Sequence, residues 1–198
     1  MLKEITKLPL KVNLDSLRHY YNKVDTEFQH LCWSVGSRIV TDDRGVGGHK
    51  IENMYGWAIE TNAKDVNQPC PPYNIGLEKT DEYRDTALVF GIIHAFKKMF
   101  PFAHGYSLAA HPPGTYINWH VDSGTWLKIH VPIYTCDNSW FNFKDHNYHL
   151  EADGSMYLID TTKEHSTSNL GNDTRIHLIF KIPYKYHTVV SSMHSIIE

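Results

Sequence analysis

The chain has 198 residues, 41% of them hydrophobic, and a formal net charge of −3. This composition can bury a core, which excludes a disordered chain, and the near balance of charge gives no basic surface that would recruit nucleic acid. We expect one domain over residues 1–198 in the cytoplasm, with no membrane segment, because the longest apolar run is too short to span a bilayer. The three cysteines fit neither a disulfide framework nor a zinc site with CxxC spacing.

Two helices are predicted in the first hundred residues. Residues 14–24 carry apolar side chains at a helical spacing, and residues 86–100 are mostly apolar and end before Pro101. The segments 41–49 and 68–73 are rich in loop-forming residues, and the first of them is a candidate lid over an active site. We expect this N-terminal part of the chain to supply helices, loops and early strands that support the rest.

From residue 103 onward the sequence changes to short strands separated by turns. Six segments are rich in β-branched or aromatic residues, and Gly, Asp and Asn stand between them. Many short strands at this spacing favour a sandwich or jelly roll with the earlier helices packed against it. The six predicted strands are 116–122, 127–135, 140–144, 148–151, 156–160 and 174–182.

One histidine and one carboxylate lie two positions apart on a predicted strand. His120 and Asp122 therefore point to the same face of the sheet. Two histidines and a carboxylate on one face of an octahedron are the ligands of non-haem Fe(II) oxygenases. In a chain with fourteen histidines such pairs also occur by chance, and His149 and Glu151 are a second pair with the same spacing. The third ligand should come from another strand of the same barrel, and His165 stands at a suitable distance along the chain.

Three further polar residues lie on strands that are expected to be buried. Arg175 is in a strand with apolar residues on both faces, and a buried arginine requires an anion. The chain has only five arginines, so the position of this one, ten residues after His165, is a specific signal. Lys128 and His130 share one face of another strand and together form a candidate anion site. In the ordinary alternative, Lys128 extends to solvent and His130 packs in the core.

Together these residues resemble the aspartyl/asparaginyl β-hydroxylase-like Fe(II)/2-oxoglutarate oxygenases, whose small members include proline hydroxylases. The similarity extends over roughly residues 105–183 and depends on an ordered set of motifs more than on any one. It implies a mainly β fold, a double-stranded β-helix (jelly roll, cupin-like) over 103–184, with residues 1–102 as support and 185–198 as a tail. The motifs are, in order, HPPGTYINWHVD, LKIHVPI, GSMYLID and HSTSNLGNDTRIHLIF.

The resemblance also implies a reaction and its cofactors. Fe(II), 2-oxoglutarate and O2 would serve to hydroxylate an aliphatic carbon of an amino acid, free or within a peptide or protein, while 2-oxoglutarate is decarboxylated to succinate. His120, Asp122 and His165 would be the catalytic iron ligands. The protein and co-substrate would share the coordination sphere, so the protein would mainly supply geometry and a dry pocket.

The remaining site residues follow from the same resemblance. Arg175 would pair with the distal carboxylate of 2-oxoglutarate, and His130 would lie near the carboxylate that chelates iron. Lys128 stands where the family usually has arginine, so it keeps the charge but loses the bidentate fork. Trp126 occupies a position where the aspartyl enzymes have an arginine that binds an acidic substrate. We therefore expect a substrate contact from Trp126 and do not assign an aspartyl substrate.

Two other functions remain open at this stage. One is a cupin-like metalloenzyme that uses the same ligands without 2-oxoglutarate, and it has no need of a buried arginine at position 175. The other is a catalytically silent jelly-roll binding module, which has no need of an intact His120, Asp122 and His165 set.

The alternation of side chains places several more residues. Trp119 should face away from the metal ligands and into packing, and His104 and His111 could line the mouth of the barrel. Side chains that could orient the ligand imidazoles are Asn118, Thr167 and Asn169.

Overall fold

The computed structural model describes residues 3–40, 49–61, 84–85, 88–122 and 125–197. Of the loop predicted at 41–49, residues 41–48, which include the candidate lid at 42–48, lie outside these residues, as does the predicted loop at 68–73. Among the described helices, none combines the length and the apolar character needed to cross a membrane. The helices are α1, Leu14–Glu27; α2, Ile92–Met99; and α3, His187–Ser192.

Both predicted helices are present, with different bounds. Helix α1 begins after Asn13, whose side-chain carbonyl accepts a hydrogen bond from the backbone N–H of Ser16 at 3.0 Å. Helix α2 begins six residues later than predicted because Gly91, at φ +56°, interrupts the helical backbone just before it. It ends before Pro101, as predicted, with Lys97 and Lys98 in its last turn.

The strands reproduce the predicted pattern and add to it. Each of the six predicted strands corresponds to an observed one, with bounds that differ by up to three residues. The strands are β1, Ile5–Val12; β2, Trp33–Val40; β3, His49–Ala58; β4, Glu60–Thr61; β5, Arg84–Asp85; β6, His104–His111; β7, Tyr116–His120; β8, Trp126–Tyr134; β9, Ser139–Phe143; β10, Asn147–Tyr148; β11, Ser155–Ile159; β12, His165–Asn169; β13, Arg175–Pro183; and β14, Ser195–Ile197.

Strands β6 to β13 pair in the nested order of a jelly roll. The first pairs with the eighth, the second with the seventh, the third with the sixth and the fourth with the fifth, all antiparallel. The larger sheet contains β6, β13, β8 and β11 and continues into β1 and β14, and the smaller contains β7, β12, β9 and β10. Strand β3 pairs with both β6 and β7 and joins the two sheets. The predicted fold class is thereby confirmed.

The two faces of the larger sheet have different surroundings. Its outer face is apolar and packs against the helices, for example through Phe96 of α2 and Phe180 of β13, whose ring centroids are 5.8 Å apart. Its inner face meets the smaller sheet, and there the side chains of β8 and β13 are largely polar. A second apolar cluster closes this interior on one side and contains Phe141, Phe143, Leu150, Tyr157 and Ile159.

Candidate metal centre

Three potential metal ligands converge at one end of the smaller sheet. His120 ends β7, Asp122 follows it, and His165 begins β12 directly opposite His120 in the strand register. One ligand atom from each lies within 4.8 Å of the others. Asp122 Oδ1 is 3.7 Å from His120 Nε2, and Asp122 Oδ2 is 4.0 Å from His165 Nε2. Since a first-row metal binds such atoms at about 2.0–2.2 Å, a single ion fits between them.

Backbone carbonyls fix the orientation of both imidazoles. His120 Nδ1 lies 2.7 Å from the carbonyl oxygen of Asn118, and His165 Nδ1 lies 2.9 Å from that of Lys163. A carbonyl only accepts, so each Nδ1 carries the hydrogen and each Nε2 keeps its lone pair toward Asp122. The sequence had offered the side chains of Asn118, Thr167 and Asn169 as candidates for this task, and the Nδ1 contacts observed are made by backbone carbonyls instead.

The carboxylate of Asp122 is held in place from two sides. Its backbone N–H donates to the carbonyl oxygen of Thr161 at 3.0 Å, which ties the segment after β7 to the loop before β12. Its Oδ2 forms an ion pair with Lys128 Nζ at 2.6 Å. Burial alone would raise the pKa of Asp122, but Lys128, His165 and His120 together keep it well below its usual range.

The imidazole of His120 is neutral at physiological pH. Burial, assisted by the neighbouring His165, lowers the pKa of His120 to about 4. The buried ring of Phe141 stacks on His165 with centroids 5.2 Å apart, so one wall of the site is apolar. A neutral imidazole at His120 beside an ionised Asp122 is the combination in which these two groups bind a metal.

Arg175 lies on the inner face of the larger sheet and is 4% exposed. Its Nη2 donates to His111 Nδ1 at 2.7 Å, and its Nε has no hydrogen-bond partner among the described residues. Burial lowers the pKa of Arg175 to about 10, so it still carries its charge at neutral pH. Burial also lowers the pKa of His111 well below its usual range, which keeps this ring neutral and able to accept the bond. No carboxylate is paired with this guanidinium in the described part of the chain.

His130 and His177 form a second buried pair on the same inner face. Their Nδ1 atoms are 3.2 Å apart, so one must donate and the other accept, and the two rings are opposite tautomers. Burial lowers the pKa of both well below the usual range. Neither Nε2 has a hydrogen-bond partner within the described ranges. The pair therefore presents one unused donor and one unused acceptor to the interior.

The predicted aromatic and mouth residues have mixed outcomes. Trp126 is half-buried and packs edge-on against His104, with centroids 4.1 Å apart, at the start of β8. Trp119 was expected to pack and is instead 41% exposed, since nothing covers that face of β7 near it among the described residues. His111 was a candidate for the mouth, with a structural position as the alternative, and it is 2% exposed and lies beside Arg175 in the interior.

Two contacts of the site were absent from the sequence reasoning. Neither the bond from Arg175 to His111 nor the pairing of His130 with His177 was predicted. A signal existed for His177, because it alternates with Arg175 on one strand and so shares its face. For His111 no local signal exists, since it becomes the neighbour of Arg175 only through the register of β6 with β13.

The residues present suit an iron ion and a carboxylate co-substrate. Two imidazoles and a carboxylate on one side of a site are the donor set of non-haem Fe(II) centres. A buried guanidinium with an unused Nε requires an anion, and a carboxylate can accept two parallel hydrogen bonds from it. The unused Nε2 atoms of His130 and His177 provide further hydrogen-bonding groups in the same interior.

Comparison with known proteins agrees with the residue pattern. Residues 73–184, more than half of the chain, match the family model described as Aspartyl/Asparaginyl beta-hydroxylase. No curated protein sequence matches.

Three solved structures are similar at low identity. A prolyl-4-hydroxylase of Pseudomonas putida has a TM-score of 0.44 at 11% identity, covering 91% of this chain and 92% of its own. A 2OG-Fe(II) oxygenase family oxidoreductase of Burkholderia pseudomallei has a TM-score of 0.44 at 10% identity, covering 82% and 88%. A Thermotoga maritima protein titled a predicted oxalate decarboxylase has a TM-score of 0.36 at 16% identity, covering 75% and 93%.

Proposed function

Because the chain belongs to the aspartyl/asparaginyl β-hydroxylase family, we propose that it is an Fe(II)- and 2-oxoglutarate-dependent dioxygenase. The substrate class is an amino acid, free or within a peptide, and the product carries a hydroxyl group on an aliphatic carbon. His120, Asp122 and His165 are the proposed iron ligands, and Arg175 the proposed partner of the 2-oxoglutarate distal carboxylate. The observation that carries the proposal is the buried guanidinium of Arg175, which lacks an acidic partner among the described residues.

Two observations, the buried Arg175 and the converging ligand atoms, separate this function from the two alternatives. A cupin-like metalloenzyme without 2-oxoglutarate would leave a buried positive charge with no anion to compensate it, at a cost of several kcal/mol. A silent binding module would have no use for three converging ligand atoms within 4.8 Å. Both features together favour a metal site that also receives an anionic co-substrate.

The iron and the keto acid, when bound, supply the oxidation: 2-oxoglutarate gives succinate and carbon dioxide, and one oxygen atom enters a substrate C–H bond. The protein's own residues arrange the reactants. The carbonyls of Asn118 and Lys163 hold the ligand imidazoles in one tautomer. Arg175 fixes the far end of the co-substrate, and Phe141 excludes water from one side. Trp126 is the proposed substrate contact at the outer end of β8.

Anaerobic titration of the iron-loaded protein with 2-oxoglutarate tests the proposal. We expect the weak visible absorption band of a keto acid chelated to Fe(II), and we expect Arg175→Met to weaken 2-oxoglutarate binding by at least about 100-fold, since a buried charged hydrogen-bonded pair is lost. Metal binding measured alone should be unchanged in this variant.

Arg18→Met is the matched control, because Arg18 lies on α1 and contacts the ring of Tyr134 on the outer face of the larger sheet. It should titrate like the unmodified protein. An Arg175→Met protein that binds 2-oxoglutarate with full affinity would contradict the assignment. If the unmodified protein released no succinate with any amino acid or peptide, the proposed hydroxylation reaction would be contradicted.

A further inference from the structure

Lys128 contacts a proposed metal ligand directly. Its Nζ lies 2.6 Å from Asp122 Oδ2, and the two side chains are 27% and 24% exposed. The other oxygen, Oδ1, faces His120 Nε2 at 3.7 Å. Oδ2 also faces His165 Nε2, at 4.0 Å. Both oxygens of this carboxylate therefore face the candidate metal site, but only Oδ2 is paired with an ammonium group.

A carboxylate can bind a metal through one oxygen or through both. If both oxygens of Asp122 bound the ion, they would use two coordination positions, and only two would remain open beside the histidines. A reaction that brings a bidentate keto acid and O2 to one iron needs three open positions. An ammonium group ion-paired with Oδ2 competes with the metal for that oxygen and so favours binding through Oδ1 alone.

We propose that Lys128 is a positioning residue that holds Asp122 in one-oxygen coordination and thereby keeps a third metal position open. This inference rests on the proposed function, since it presupposes an ion at His120, Asp122 and His165. It assigns Lys128 a role different from the one that the family resemblance implies, namely contact with the co-substrate. The two roles can be distinguished when a metal is bound without 2-oxoglutarate. Only a residue that positions Asp122 then changes the number of open positions on the ion.

Mn²⁺ alone is the probe, because the relaxation of water protons by bound Mn²⁺ depends on the number of water molecules on the ion. In Lys128→Met we expect the relaxation per bound Mn²⁺ to fall by about one third, since two open positions remain instead of three. Lys128→Arg keeps a charged donor and should retain the full value. Lys128→Gln, which is neutral and shorter, serves as a second variant if the methionine protein does not fold, and we expect the same loss.

Lys23→Met is the matched control, because Lys23 lies on α1, which packs on the outer face of the larger sheet, and forms an ion pair with Glu27 at 3.9 Å. It should leave the relaxation unchanged. Full relaxation in Lys128→Met and Lys128→Gln would overturn the inference, and weaker 2-oxoglutarate binding in the same proteins would then assign Lys128 to the co-substrate. Absence of Mn²⁺ and Fe(II) binding in the unmodified protein would instead overturn the proposed function and this inference with it.

Discussion

Several side chains of the interior are polar and buried. Whether such a side chain lowers the stability of the folded state depends on its hydrogen-bond partner. His130 and His177 are 4% and 1% exposed, and each satisfies the Nδ1 atom of the other. A buried polar atom that loses its partner keeps its full desolvation cost, whereas removing both partners of a pair can be nearly neutral. The pair is thus a stability unit as well as part of the proposed site.

His177→Leu should lower the free energy of unfolding by about 1–3 kcal/mol, because it leaves His130 Nδ1 buried without a partner. The double variant His130→Leu/His177→Leu should cost clearly less than the sum of the two single variants. Urea denaturation of the metal-free proteins measures both. Additive losses would show that the 3.2 Å contact contributes nothing.

At the scale of elements, one turn joins the N-terminal strand to the barrel. Gly154 precedes β11 at φ +80°, and its carbonyl accepts a hydrogen bond from the backbone N–H of Val12, the last residue of β1, at 2.9 Å. A Cβ placed at Gly154 would lie 2.6 Å from the carbonyl oxygen of Val12. The glycine therefore permits both the backbone conformation and the close approach of β1.

Gly154→Ala and Gly114→Ala form a matched pair, since both glycines have φ +80° but nothing lies within 4 Å of a Cβ at Gly114. Gly114→Ala should cost about 1–2 kcal/mol from the backbone conformation alone. Gly154→Ala should cost more, because β1 must also move away from the turn. Thermal or urea unfolding compares them, and equal losses would contradict a steric role for the Val12 contact.

The strands also differ in how well the sequence predicts them. Strands β8 and β13 were predictable because β-branched residues alternate along them. Strand β12, with the sequence HSTSN, lacks apolar residues, and its strand conformation depends on pairing with β7 and β9. His165 was outside the six predicted strands, whereas in the structure it begins this strand. The candidate ligand could be named from the sequence, but its strand conformation could not.

For the whole molecule, burial of neutral histidines links stability to pH. His111, His130 and His177 all have a pKa lowered well below the ordinary 6.5 by burial. Below pH 6.5 the unfolded chain therefore binds protons that the folded chain does not bind. The stability of the folded state is fully present above pH 6.5 and declines as the pH falls.

We expect the free energy of unfolding of the metal-free protein to fall between pH 7 and pH 5, each histidine contributing up to about 1.4 kcal/mol per pH unit. Urea denaturation in the presence of a chelator measures it. His177→Leu should show a smaller slope because one such group is gone. A constant value over this range would contradict neutral burial of the three rings.

The order of residues alone determined the fold class and the choice of candidate site residues. Alternating strands, a histidine and an aspartate two positions apart, and an arginine in an apolar strand are local patterns, and local patterns are visible in a sequence. This is why His120, Asp122 and Arg175 could be named in advance, whereas His165 was named from its distance along the chain and from the family resemblance.

Only the tertiary structure decided the contacts among them. The pairing of β6 with β13 places His111 beside Arg175, and the approach of β8 to the end of β7 places Lys128 on Asp122. These contacts depend on strand register and on the distance between sheets, which are set by packing of the whole chain and leave no trace in neighbouring residues.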